Sequence, residues 1–132
     1  MKKRYGVICY LPGKKQDDVV LVTSRRSKRW IFPKGRKIPG MSGPASARRE
    51  AYEEAGLLGR VDRRIKFRII AEQAGSKVEL MLYPMRIEKI LKRWPEARHR
   101  ARVIMSSRKA EKLLECSDTI RALRSVVGKR KR

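Results

Sequence analysis

A chain of 132 residues with 41% hydrophobic content supports one domain with a real core. Its 36 Lys plus Arg against 13 Asp plus Glu leave a net charge of +23, which implies a polyanionic partner: nucleic acid, a membrane surface or a highly phosphorylated small molecule. No stretch approaches the roughly 20 apolar residues of a membrane span, and the opening MKKRYGVICYLPG has too short an apolar run, and no small-residue cleavage site, for a signal peptide.

Taken in chain order, Tyr5 to Leu11 reads as a buried strand closed by Pro12-Gly13, and Asp17-Asp18 belongs to the turn that follows. Val19 to Thr23 is the next strand and Trp30 to Phe32 a short third. A Gly-rich loop leads to a helix from Pro44 to Ala55: proline suits its first turn, Ser42 or Gly43 can cap it, and Gly56 suits a left-handed residue at its end. Arg60 to Ala71 is strand-like, Gly75-Ser76 a turn, and Lys77 to Ile87 a long strand pairing back, with Pro84 expected at an edge or bulge. Residues 88 to 100 are irregular and highly charged. Arg102 to Met105 is a last strand. Ser106 or Ser107 caps a helix through Cys116 with Leu113 and Leu114 inward, and Ser117 or Asp118 caps a final helix carrying Ile120, Leu123 and Val127. A single domain is expected over residues 1–128, followed by a solvated basic tail, 129–132. Cys9 and Cys116 have no metal-ligand spacing and read as reduced thiols of a cytoplasmic protein.

The anomaly in so basic a chain is an acidic knot. Glu50, Glu53 and Glu54 stand at i, i+3 and i+4, so they converge along one edge of the predicted helix. Like charges so placed cost about 0.2–0.5 kcal/mol per pair. Arg48 and Arg49 relieve part of that, and a Mg²⁺ or Mn²⁺ ion would relieve more, since hard cations take carboxylate oxygens. The plainer alternative is a solvated helix face with an EE pair. Ala47, Ala51 and Ala55 form a small-residue stripe able to lie close against a sheet.

With the loop included, the stretch resembles the signature of the Nudix hydrolase family, G-x5-E-x7-R-E-U-x-E-E-x-G-U, U being aliphatic. Gly35, Arg49, Glu50, Ala51, Glu53, Glu54, Gly56 and Leu57 fall at the required places, and Met41 stands where the first glutamate is expected. The resemblance implies an α+β fold, an α/β/α sandwich whose mixed sheet packs between the loop-helix unit and the C-terminal helices. It implies Mg²⁺ or Mn²⁺ on Glu50, Glu53 and Glu54, with Arg49, Glu53 and Glu54 as the catalytic residues. The Met41 departure bears on rate or metal count more than on fold.

The run TSRRSKRWIFPKG is similar in spacing to the diphosphoinositol-polyphosphate and diadenosine-polyphosphate phosphohydrolase branch and its bacterial relatives, as is a later Trp94-Pro95-Glu96 tract followed by RHRARV. That likeness implies substrate-phosphate contacts from Lys2, Arg4, Thr23, Arg25 and Arg100, with Lys34 and Gly35 on the loop passing the phosphate chain. For each of them the bland alternative is an ordinary residue of a basic surface. Tyr5 and Trp30 are expected in the core, and His99, the single histidine, at the surface.

The resulting expectation is metal-dependent hydrolysis of a phosphoanhydride in an inositol pyrophosphate or a nucleoside-diphosphate-linked substrate such as a diadenosine polyphosphate, by a monomer or homodimer. For the general base, Glu53 or Glu54 within the signature and Glu79 or Glu96 outside it are candidates. An RNA 5′-pyrophosphohydrolase is the nearest rival, and a non-catalytic module binding RNA or another polyanion belongs to a different class. The charge suits weak nucleic-acid association, whereas 6% aromatic content offers few stacking platforms.

Overall fold

The computed structural model describes the backbone of residues 1–130 and the side chains of residues 1–128. Eight strands and three helices follow one another as β1 (Lys2–Leu11), β2 (Asp18–Thr23), β3 (Trp30–Ile31), β4 (Lys34–Gly35), α1 (Gly43–Ala55), β5 (Leu57–Val61), β6 (Phe67–Gln73), β7 (Ser76–Ile90), β8 (Arg102–Ser106), α2 (Ser107–Leu113) and α3 (Ser117–Arg130). The sheet runs β3-β2-β1-β7-β5, with β4 paired to β1, β6 to β7 and β8 to β2. It is mixed: β1 and β7 are parallel from Lys2↔Val78 to Tyr10↔Arg86, and the other pairings are antiparallel.

In β1, Gly6 to Cys9 are all buried, and in β2 so are Val19 to Thr23. Consecutive burial, rather than alternation, means that both faces of these strands are covered. α1 lies against β1, β4 and β5, while α2 packs on β2 and β8 and α3 on β1 and β6. The α+β sandwich expected from the sequence is therefore the fold. Ala47, Ala51 and Ala55 are fully buried, so their small side chains bring the α1 backbone close to the sheet.

The structure adjusts several boundaries. Asp18 opens β2 opposite Leu11 instead of sitting in the turn. The single strand expected over 60–71 is two, β5 and β6, separated by a turn around Asp62–Arg64, where the Asp62 carboxylate accepts from the Arg64 N–H at 3.0 Å. Pro84 lies inside β7, not at an edge, at the seam where β6 leaves off at Phe67↔Leu82 and β5 takes over at Val61↔Met85. Its carbonyl accepts from the Asp62 N–H at 2.9 Å, so its missing N–H faces the same seam, where no ladder bond is required. α2 stops at Leu113 because Leu114 turns extended. α3 runs on through Arg130, into the stretch expected as a tail, and Lys131 and Arg132 lie outside the described residues.

Candidate active site

α1 presents the acidic residues. Ser42 caps it, accepting the Ala45 N–H at 3.2 Å, and Gly56 closes it with a left-handed φ of 66°. Within the stretch read as loop, β4 pairs with β1 as Gly6↔Lys34 and Tyr5↔Gly35, which sets it beside the helix edge carrying Glu50 and Glu54. A Cβ on Gly35 would overlap Glu50 Cδ, so the absent side chain is the space Glu50 occupies.

Glu54 is buried, 4% exposed. Its Oε1 accepts the Lys34 backbone N–H at 3.2 Å, and its Oε2 accepts Arg100 Nη2 at 3.1 Å. Burial pushes its carboxyl up to about 8, against the pull of Arg100 and the Lys34 N–H and with the repulsion of Glu50 and Glu96. Glu50 is raised as well, by burial first and by Glu53 next, while a side-chain hydrogen bond with Glu54 works the other way. Two carboxyl groups are thus in contact, with a third, Glu96, close enough to act on both. Lys34 Nζ, lowered chiefly by burial, feels Glu54, Arg4, Arg100 and Glu50 in turn.

Of the stretch expected to be irregular, 88 to 100, residues 88 to 90 extend β7 instead, and the chain from 91 to the start of β8 closes over the end of α1. Trp94 Nε1 donates to Glu54 O at 3.0 Å, the Glu96 N–H to Glu53 O at 3.0 Å, and Arg102 Nη1 to Ala55 O at 2.9 Å and Leu91 O at 2.8 Å. These donors satisfy carbonyls that a helix end leaves open. The Arg102 guanidinium lies 4.0 Å from the Trp94 ring centre. Gly56 fits beneath, since a Cβ there would meet Trp94 and Arg102 at 3.0 Å.

Arg100, expected on substrate phosphate, spends its donors on the protein. Nε reaches Glu96 Oε1 at 2.8 Å, Nη1 reaches Thr23 O at 3.0 Å and Nη2 reaches Glu54, with only 10% of the side chain exposed. Thr23 is buried too, its hydroxyl accepting the Ala101 N–H at 2.9 Å. Glu53, close enough to act on Glu50, is bonded to Arg49, whose Nε donates to its Oε1 at 2.9 Å while the guanidinium overlies Tyr52 at 5.3 Å. Among the described residues no three acidic, His or Cys side chains converge as a metal cage. Lys2 is exposed on β1, Arg4 half-buried near Lys34, and Arg25 exposed in the turn after β2. Glu79 is tied to Lys3 at 3.7 Å and Arg68 at 2.7 Å, and the Arg68 hydrogen bond holds its carboxyl below the usual range. Trp94 and Arg102, noted in the sequence only as parts of a tract resembling the family branch, here bond the carbonyls at the end of α1. Tyr5 and Trp30 are half-buried against the core, and His99 is exposed.

A family model described as NUDIX domain matches residues 2–114. The chain belongs to the Nudix family. Human diphosphoinositol polyphosphate phosphohydrolase 2 is 32% identical over 124 residues, 92% of this chain and 67% of that protein. Nudix hydrolase 18, mitochondrial, of Arabidopsis thaliana is 33% identical over 89 residues, 67% of this chain and 51% of that one. The chain thus spans about half the length of this Arabidopsis relative, and of Nudix hydrolase 17, 53%. A binary complex of C. elegans Ap4A hydrolase superposes with a TM-score of 0.79 at 19% identity, covering 94% of this chain and 93% of that one, which shows a shared Nudix fold. No helix among the described residues is long and apolar enough to cross a membrane.

Proposed function

We propose that this Nudix protein is a metal-dependent pyrophosphohydrolase that cleaves a phosphoanhydride in a diphosphoinositol polyphosphate or a diadenosine polyphosphate. The observation that carries the reading is the contact between the Glu50 and Glu54 carboxyls beneath the Gly35 backbone, beside Lys34 and Arg4. Two oxygen donors pressed together, each raised by burial and by like charge, suit a hard divalent cation. Glu50 and Glu54 would hold Mg²⁺ or Mn²⁺, and Glu53 would join them on release from Arg49. When bound, the ion supplies charge neutralisation at a diphosphate and acidifies water.

The chain's own groups do the rest. Lys34, Arg4 and the exposed Lys2 clamp phosphates that do not react, which is most of what phosphoryl transfer asks of a protein. Arg100 orients Glu54 and Glu96 and leaves phosphate binding to these other cations. Water forms the new bond to phosphorus, the bridging P–O bond breaks, and the leaving phosphate keeps the electron pair. The water's proton passes to Glu53, whose carboxylate, unlike that of Glu54, accepts no backbone N–H and is held by Arg49 alone among the described residues. The names borne by the human and C. elegans relatives support the substrate choice.

The test is a product assay with inositol pyrophosphate, diadenosine polyphosphate and 5′-triphosphorylated RNA, each with and without Mg²⁺. Metal-dependent turnover of one of the first two is expected. Glu54→Gln should stay folded and lose most activity, and wild-type turnover by that variant would undo the assignment.

A further inference from the structure

On the opposite flank of α1 lies a groove of about 1000 Å³, bounded by α1, β5 and the Asp62–Arg64 turn. Arg48 and Tyr52 sit two residues either side of Glu50, so at 3.6 residues per turn they face away from the carboxylate edge. Five arginines line the groove: Arg48, Arg49, Arg60, Arg63 and Arg64. Its acids are few and engaged, Asp62 with Arg64 at 3.2 Å and Glu88 with Arg60 at 4.0 Å. The Arg60 and Arg64 side chains are 83% and 90% exposed. Between the arginines runs an apolar floor of Met41, Tyr52 and Leu58, the last 37% exposed.

We propose that this groove binds a single-stranded polynucleotide, apart from the hydrolytic site. Guanidinium groups match phosphate oxygens in a bidentate fork, and the chain's charge of +23 draws such a polyanion in. The apolar floor distinguishes strand from duplex. A duplex offers a protein mainly its phosphates, whereas a single strand has open base faces to cover Tyr52 and Leu58. The Met at position 41 fits the same picture: where the family signature has a glutamate, this chain places an uncharged side chain on the floor of a basic groove.

The test uses the full chain with fluorescent oligouridine. The triple variant Arg48→Gln, Arg60→Gln, Arg64→Gln should weaken binding by at least about tenfold. It should also reduce the slope of log affinity against log salt by about 2, three phosphate contacts at roughly 0.7 each. An equally discharged control, Lys14→Gln, Lys15→Gln, Arg108→Gln, on exposed residues elsewhere, should change binding less than about threefold. Tyr52→Leu, which alters no charge, should weaken oligouridine binding several-fold and leave polyglutamate binding unchanged. Unchanged Tm in the groove variants, and unchanged small-substrate turnover in the arginine triple, would show that the loss is local. Equal losses in the two triples, an indifferent Tyr52→Leu, or a duplex bound as tightly as the single strand would overturn the proposal. So would polyglutamate following the same variants, which would make the partner an acidic peptide. Absent turnover in the wild type would count against the hydrolase reading alone.

Discussion

Glu50 lies against Gly35 so closely that one methyl group on the glycine would stand 2.6 Å from Glu50 Oε1. The glutamate cannot keep its place if position 35 acquires a side chain. Gly35→Ala should therefore lower turnover by roughly 100-fold, the scale on which small misplacements of reacting groups act. Loss of stability should be modest, about 1–3 kcal/mol for an overpacked contact. Steady-state kinetics beside a urea melt would check this, and an alanine variant with full activity would show that Glu50 is not needed where it stands.

Glu54 makes the metal-free protein sensitive to pH. Its carboxyl titrates near 8 in the fold and near the ordinary 4.3 in the unfolded chain. Between those values the folded state holds a proton that the unfolded state has lost. Stability should fall as pH rises from 5 to 8, with the full penalty reached above 8. The Tm of the chelator-treated protein should decline over that window, and Glu54→Gln should flatten most of the decline. Mg²⁺ or Mn²⁺ added at pH 8 should raise the wild-type Tm more than that of Glu54→Gln, because a ligand that binds only the folded state stabilises it.

Arg100 joins the end of β2 to Glu54 and Glu96. Replacing it with methionine takes the donor from Glu54, Glu96 and Thr23 O, and above about pH 8, where Glu54 is ionised, leaves a buried charge without its cation, a change of the kind that costs about 3–5 kcal/mol. Arg100→Lys should recover only part, since one ammonium cannot span three acceptors in a fixed fork. Denaturation midpoints of the two variants would rank them, and a fully stable Arg100→Met would deny the linkage.

Sequence patterning located the box helix well, because its determinants are local: Ser42, Pro44 and Gly56 punctuate it and three alanines mark its inner face. Tertiary partners decided the rest. Residues 60–71 lack Gly or Pro where the chain turns, so the break at Asp62–Arg64 is visible only once β7 offers each half a different register. Arg100 reads as a surface cation among many until Thr23, Glu54 and Glu96 surround it. Trp94 and Arg102 bond carbonyls some forty positions earlier, a relation no spacing rule encodes.

Trp94→Phe tests that late loop. The ring remains, but the hydrogen bond to Glu54 O goes, at a cost of about 1 kcal/mol. Turnover should drop more than Tm suggests, since the carbonyl belongs to the residue whose side chain lies in the site. A fall in stability with kcat untouched would confine Trp94 to packing.

Cys9 is fully buried on β1, its Sγ donating to Val20 O at 3.1 Å, and burial pushes its thiol up to about 12. Only thiolates react readily with disulfide reagents. The native protein should therefore show one accessible thiol, the half-buried Cys116, and two after unfolding. Two fast-reacting thiols in the native state would mean that β1 opens.

The long parallel pairing of β1 with β7 joins the two ends of the sequence's first two-thirds. Pairings between distant segments form slowly, because closing the intervening loop precedes any gain from the contact. During synthesis the box helix can coil as soon as it emerges, yet Gly35 cannot cradle Glu50 until β1 is anchored, nor can Glu54 be steadied before residue 100 has been made. Catalytic competence in this protein should thus arrive late and all at once, and a chain stalled short of residue 100 would carry a box helix with nothing to act through.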